Sequence, residues 1–597
     1  VTADCPATSS ISKPITPSKV IETMTAEKTE MLIPDRILQL LETEGINTLF
    51  GIPDPCFVAM FALAEQRGWR VIAPHHEQAG GFMADGLYRL TGKPGVIIGN
   101  EGPGVANLAP AAIAAAKENI PTIFIAGQRE RYFDQQVRRG HFQYTRQARY
   151  FEEAMKFVGV IDHADHVDDI FHEAFRQAFT GKPGPVYIEY PQDYAGSTHT
   201  FGPLKQPPEY RLVRQNADSA SLEAAAALIE QARQPVLLVG NGVFVSRAQE
   251  ELNKLAQSLQ CPVINTPGAS SRLMDVLDVT APYATPAANR AIAEADLVLA
   301  IGTEIGEPVH YGTGRHWAQG NQGRKWIYRE RDVTAFGVNR PIDVPLAGDL
   351  RDVVPQLQCA LTARELQPRF PDNYLQLLEG SLEELINTVE VATSETAVHP
   401  AHLAVEISRA MPEDPVMIRD GGAVCLWNMA FNTTPSSDMH WCQNFGHLGT
   451  GIPHAIGAQL AVGDSRRVVA ICGDSAFQFH ISELETAVRK NLPVVFIVGC
   501  DYAWGLEVKV YNVAFGDDAP NTEAQWGNQV RFDKIAEGYG AHGEFVEQRE
   551  DIAPAIERAL ACGRPAVVQV PIDARINAVE VPGFEEFATW YGDKGYS

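Results

Sequence analysis

The chain has 597 residues, 45% of them hydrophobic and 21% charged, with a formal net charge of −25. That length is too great for one core and implies roughly three to four domains. A surface this acidic repels nucleic-acid phosphates, and no apolar run approaches the ~18 residues of a membrane span.

Residues 1–30 are rich in Ser, Thr and Pro and lack an apolar secretory core, which predicts a mobile extension. From DRILQLLETEGINTLFGIPD onward, helical patterns alternate with short apolar runs, VIAP, PGVIIGN, PTIFIAG and GPVYIEYP. This rhythm predicts a parallel α/β domain over 31–197. The polar passage AGSTHTFGPLKQPPEYR interrupts it before QPVLLVGNGV, CPVINTP and ADLVLAIGTE resume it, giving a second α/β domain over 210–361. Within that domain VGNGV (Val239–Val243) invites a dinucleotide reading, but the third glycine of that fingerprint is absent. The stretch reads as a plain strand-to-helix turn, without bound FAD or nucleotide. A long passage, LQPRFPDNYLQLLEGSLEELINTVEVATSETAVHP, reads as a linker to a third series, PVMIRDGG, RRVVAIC, LPVVFIVG and PAVVQVP, over 395–580. An aromatic tail follows at 581–597. The fold class is α/β, with three doubly wound parallel-sheet domains.

The nine cysteines are scattered and include no Cys-x-x-Cys pair. This gives no zinc site or disulfide framework and fits reduced thiols in a cytoplasmic protein.

The stretch ICGDSAFQFHISELETA (Ile471–Ala487) carries the chemistry. A β-branched run, a tight turn and a helix follow one another, and the glycine at 473 lets a ligand approach the backbone. A helix N-terminus attracts phosphate. Asp474 then requires a hard cation between its carboxylate and that anion, because Mg2+ takes oxygen ligands and bridges to diphosphates. The competing reading is an N-capping Asp or Ser on an ordinary turn. A second oxygen ligand should come from the end of a neighbouring strand. Asp501, in CDYAWG, lies 27 residues further on, a distance that a helix and a strand fill.

The segment from GDS to CDYAWG resembles the thiamine-diphosphate motif, which begins Gly-Asp-Gly/Ser and closes near an Asn-Asn pair. The resemblance extends over nearly the entire chain after Met31. HHEQAGGFMADGLYRLTGKPGVIIGNEGPGVANLAPAAIAAA resembles the pyrimidine-binding domain of acetolactate synthase, benzaldehyde lyase, and the oxalyl-coenzyme A decarboxylase and 2-hydroxyacyl-coenzyme A lyase enzymes. DGGAVCLW and NFGHLGTGIPHAIGAQLA resemble the start of the diphosphate-binding domain.

The resemblance implies thiamine diphosphate and Mg2+ as cofactors, with the metal held by Asp474, Asp501 and the Ala503 carbonyl. Cys-Asp replaces the usual Asn pair, which adds negative charge beside an anionic diphosphate. The diphosphate would meet the turn at Gly473 and the main-chain amides of Gly422, Ala423, Ser475 and Ala476. Leu448 matches the apolar residue wedged beneath the bent cofactor, and the Gly446 carbonyl would accept from the 4′-amino group. Glu77 matches the glutamate that hydrogen-bonds the pyrimidine N1′, a role for which it should be buried. Around the reacting carbonyl the same mapping puts Pro55, Cys56, His76, Gln143, Gln478 and His480. Cys56 stands where benzaldehyde-lyase-like members carry His, a departure that counts against that substrate.

The activity implied is that of a lyase, decarboxylase or carboligase acting on a 2-oxo acid, 2-hydroxy ketone or 2-hydroxyacyl thioester. Alternatives are a transferase of the acetolactate-synthase type and, because of the Cys-Asp departure, a non-catalytic cofactor-binding or oligomerisation subunit. Related enzymes place the cofactor between the first domain of one chain and the third of another, so the resemblance also implies a homodimer at minimum and a homotetramer as the full assembly.

Overall fold

Short β-branched and aliphatic runs such as Val96–Gly99 and Val495–Cys500 form strands that are buried along their whole length. Parallel sheets covered on both faces by helices require such residues. The computed structural model describes residues 28–133, 139–317, 323–394, 397–516, 523–526, 529–576 and 578–581. Among these are three six-stranded parallel sheets, one in each of three successive α/β domains.

The first sheet runs from Thr48–Gly51 to Val186–Pro191 and the third from Val416–Asp420 to Ala566–Pro571. With strands numbered from one in each, both have the spatial order 2-1-3-4-6-5. The middle sheet, from Pro235–Val239 to Val344–Ala347, has the order 3-2-1-4-5-6. Its topological switch point therefore lies between the first strand and Leu297–Ile301.

Two segments differ from the sequence expectation. Thr29–Leu32 pairs antiparallel with Thr198–Phe201, with Thr29 opposite Phe201. One strand of this pair thus falls inside the expected extension and the other beyond residue 197. The signal was faint because a four-residue alternation, with Phe201 buried, sits in a polar, proline-bearing stretch. The passage read as a linker before the third domain contains an 18-residue helix, Tyr374–Val391. Its leucines recur at helical spacing, and Tyr374 is buried against the middle domain. The tail beyond Val581 lies outside the described residues, as do residues 1–27.

The first and third domains share one core. Phe50, Phe82 and Ile97 belong to the same apolar cluster as Ile418, Ile456 and Phe496. At its centre the helix Glu77–Thr91 crosses the helix Gly451–Val462. The crossing depends on glycine for close approach. A Cβ at Gly86 would lie 2.4 Å from the His454 carbonyl oxygen, and one at Gly457 would lie 2.0 Å from that of Met83. This contact fixes the N-terminus of the first helix against the third domain.

Candidate functional site

Parallel pairing sets Asp420 opposite Cys472 and Gly473 opposite Gly499. The chain therefore leaves three neighbouring strands side by side at their carboxyl ends, where ligands of open α/β sheets gather. Asp474 begins the short helix Asp474–Gln478 and is only 1% exposed. Its Oδ2 accepts from the Tyr502 amide at 2.7 Å, which ties it to the neighbouring strand end. The Asp501 carboxylate accepts from the Ala503 amide at 3.2 Å. A Cβ at Gly505 would lie 2.2 Å from Asp501 Oδ2, so only glycine there leaves the carboxylate room.

Burial raises both carboxyl groups. Asp474 stands well above the ordinary range, with the neighbouring Asp501 charge as the next cause, and Asp501 is pushed up to about 6. Two adjacent buried carboxylates are costly unless a cation lies between them. Among the described residues no cluster of three or more His, Cys, Asp or Glu is arranged to hold a metal. A cation at this pair would need further oxygens, such as the Ala503 carbonyl and a diphosphate. The donor set fits Mg2+ bound together with a phosphate ester. The turn also has room for one, since the nearest atom to a Cβ built on Gly473 is 3.9 Å away, on Val424.

Gly422 is the N-cap of the helix Ala423–Phe431, which turns the first amides of that helix toward the same strand ends. One expected donor is otherwise engaged. The Ser475 amide donates to Asp474 Oδ1 at 2.7 Å, because an aspartate at the first helical position reaches the next amide. The amides of Ala476, Gly422 and Ala423 remain as candidates. Ser475 and Gln478 line a cavity of about 470 Å³ with Phe479, Trp504, Trp526 and Val530.

Leu448 is half-buried, on a segment without regular structure. Gly446 has φ 68°, and a Cβ there would meet nothing within 4 Å, so its carbonyl sits on open backbone. On the far side of Leu448, the Gly449 and Gly451 amides donate to Asp420 Oδ1 and Oδ2 at 3.1 and 2.7 Å. Burial pushes the Asp420 carboxyl up to about 7, with these amides pulling it back. His480 is buried with Nδ1 2.6 Å from the Gly449 carbonyl oxygen, and burial lowers it to about 4. It is therefore neutral at physiological pH. Donation from Nδ1 to that carbonyl leaves Nε2 as an acceptor.

Glu77 opens the helix Glu77–Thr91 and is 6% exposed. Its Oε2 accepts from Asn107 Nδ2 at 3.0 Å, and a Cβ at Gly104 would lie 2.9 Å from Oε1. The Gly102–Gly104 turn thus passes against the carboxylate. Gln143, at φ 57°, packs its carbonyl on the same turn, 2.5 Å from where a Gly102 Cβ would stand. His76 caps the helix, its Nδ1 accepting from the Gln78 amide at 3.2 Å. Its ring centroid is 6.3 Å from that of His480. The fold therefore gathers Glu77, His76 and Gln143 on the first domain, with His76 reaching His480 of the third.

Cys56 lies deeper in the first domain than its neighbour Pro55. It is 2% exposed and packs in the core of the first domain, with Sγ 3.7 Å from the Tyr190 carbonyl oxygen. Burial raises its thiol far above the ordinary value, and the carboxylates Glu101 and Asp54 add to this. Its thiol lies in the apolar core of the first domain. Pro55, one residue before, is exposed.

Sequence reasoning missed Asn107, Asp420 and Glu118. The last accepts from the Asn444 and Phe445 amides. Asn107 had a visible signal, one helical turn after Gly104 in EGPGVAN. The Val239–Val243 turn borders open space. Gly242 and Gly302, with Arg247, Arg331, Gln443 and Asn444, line a cleft of about 1010 Å³ at the middle sheet's switch point.

Three family models match the chain in order. They are the thiamine pyrophosphate enzyme N-terminal TPP binding domain over residues 31–150, the central domain over 222–357 and the C-terminal TPP binding domain over 420–570. The chain is 28% identical over 568 residues to a sulfoacetaldehyde acetyltransferase of Castellaniella defragrans, covering 89% of this chain and 91% of that protein. It is 28% identical over 557 residues to an acetolactate synthase large subunit of Parasynechococcus marenigrum, covering 90% and 86%. It is 27% identical over 550 residues to an acetolactate synthase of Bacillus subtilis, covering 90% and 92%.

Proposed function

The chain belongs to the thiamine pyrophosphate enzyme family, and on that premise we propose that it is a thiamine-diphosphate- and Mg2+-dependent enzyme that makes or breaks carbon–carbon bonds next to a carbonyl. Its substrate class is a 2-oxo acid, a 2-hydroxy ketone or a 2-hydroxyacyl thioester. The observation that carries the reading is the adjacent Asp474–Asp501 pair, largely withdrawn from water, whose like charges call for a bridging cation.

When bound, the cofactor supplies an electron sink for the carbanion left by carbon–carbon cleavage. The remaining work falls to the chain. Asp474, Asp501 and the Ala503 carbonyl hold the cation, and the amides at Gly422, Ala423 and Ala476 face the diphosphate. Leu448 would pack beneath the cofactor's rings, and the Gly446 carbonyl would accept from its amino group. Glu77, held by Asn107, would hydrogen-bond the pyrimidine N1′ and serve as its proton donor and acceptor. His76, His480, Gln143 and Gln478 border the reacting carbonyl, with His480 as a neutral acceptor. A homodimer, and from it a homotetramer, is the proposed working form, on the resemblance to enzymes that place the cofactor between the first domain of one chain and the third of another.

A second reading is an acetyl-transferring enzyme of the acetolactate-synthase kind. The relatives' names favour it, as does the cleft at Gly242 and Gly302. Thiamine-diphosphate content, and turnover on a panel of 2-oxo acids and acyloins with and without a second acceptor, test both readings. Cleavage without an acceptor supports the lyase, product only with an acceptor supports the transferase, and neither cofactor nor turnover removes both.

A further inference from the structure

We propose that Glu118, the last residue of the first-domain helix Pro103–Glu118, is a positioning residue that sets the third-domain segment Asn444–Leu448 against the pyrimidine end of the cofactor. The inference rests on the roles proposed above for Gly446 and Leu448.

The segment has no sheet or helix to hold it, and fixing irregular backbone costs conformational entropy at every residue. Two buried carboxylates from different domains supply the anchors. Asp420 receives the amides of Gly449 and Gly451 on one side. On the other side Glu118 Oε1 receives the amides of Asn444 and Phe445, at 2.6 and 3.2 Å. The Gly446 amide then closes a turn onto the Cys442 carbonyl at 3.0 Å. Gly446, His447 and Leu448 lie between these anchors, with the His447 ring 5.0 Å from that of Phe82 between centroids.

The competing role for Glu118 is simple charge balance for Arg89, since both side chains are 2% exposed. The distances argue against it. Arg89 is already gripped by Asp85 in a two-point contact at 2.6 and 3.2 Å, and Asp85 also lies 3.2 Å from His454 Nε2. The Arg89–Glu118 contact is the longest of the group at 3.4 Å. The shortest bond Glu118 makes is to the Asn444 amide. The geometry therefore points to the loop as its target.

The test compares Glu118→Gln, Glu118→Asp and Glu118→Ala in the full-length protein. Binding of thiamine diphosphate and of inorganic diphosphate, each with Mg2+, is read by calorimetry. Gln keeps an acceptor oxygen at the same reach, whereas Asp keeps the charge but is one methylene short. We expect Gln to stay within about threefold of wild type for thiamine diphosphate, and Asp and Ala to lose about tenfold or more. Inorganic diphosphate should bind equally in all four proteins, because the segment faces the ring end. Rescue by Asp but not Gln would make Glu118 a charge partner of Arg89 and overturn the proposal. Equal weakening of both ligands would overturn it too, as would an unchanged affinity for thiamine diphosphate in the Ala and Asp variants. If Ala fails to fold, the Gln and Asp pair decides. The reading beneath the proposal is judged on wild type alone, where thiamine diphosphate binding no tighter than inorganic diphosphate removes that reading and this one together.

Discussion

Asp474 and Asp501 stand at the ends of adjacent parallel strands, the first buried and the second half-buried, and the Asp474 carboxylate holds the amide of the residue that follows Asp501. The chain thus concentrates two like charges where burial already opposes either one. Without a cation the pair is a stored cost. Asp501→Asn removes one of the charges and keeps an oxygen. It should raise the stability of the metal-free protein above neutral pH by on the order of 1–3 kcal/mol. Denaturant unfolding with and without chelator measures this, and a destabilised variant would contradict it.

The pH dependence of the metal-free protein follows in sign. Asp501 is pushed up to about 6 and Asp420 to about 7, so each holds its proton more tightly folded than unfolded. The stability they contribute is full below the ordinary carboxylate value and is lost as pH rises through these values. The melting temperature in chelator should therefore fall between about pH 5 and about pH 8. Mg2+ should flatten the Asp501 part and leave the Asp420 part. A melting temperature that climbs across this range in chelator would contradict the assignment.

Glu77→Gln should keep cofactor binding while turnover falls by about 100-fold or more, since the amide preserves size but cannot exchange the proton. Asn107→Ala should lower turnover less, because Asn107 holds Glu77 in place and touches no reacting atom in the proposed roles. Steady-state kinetics with saturating cofactor measure both, and full activity in Glu77→Gln would remove Glu77 from its proposed role.

The reading of Val239–Val243 without a bound flavin predicts a colourless purified protein. A yellow sample with flavin absorbance would refute it and favour the synthase-like alternative, and the cleft beside Gly242 and Gly302 would be where to look for the flavin.

The three-domain rhythm was legible because parallel strands buried on both faces announce themselves as short aliphatic runs between helical patterns. The Asp474 and Asp501 positions were legible for a related reason, since both stand at strand ends only a helix and a strand apart. The burial of Cys56 was not, because a loop position does not reveal how deeply its side chain sits. Glu118 and Asp420 were also hidden. Glu118 meets Asn444 across 326 residues, a separation that no local pattern encodes. The helix Tyr374–Val391 was overlooked because its proline-rich approach made the whole passage look like a linker.

The central claim is that this aspartate pair holds a cation against a diphosphate, and the direct measurement is a calorimetric titration of Mg2+ and thiamine diphosphate into wild type, Asp474→Ala and Asp501→Asn. We predict that wild type binds the cofactor only with the metal present, that Asp474→Ala loses binding, and that Asp501→Asn binds as tightly or more tightly, because it keeps an oxygen ligand and sheds one charge. Metal-independent binding in wild type, or loss in Asp501→Asn as complete as in Asp474→Ala, would contradict the account.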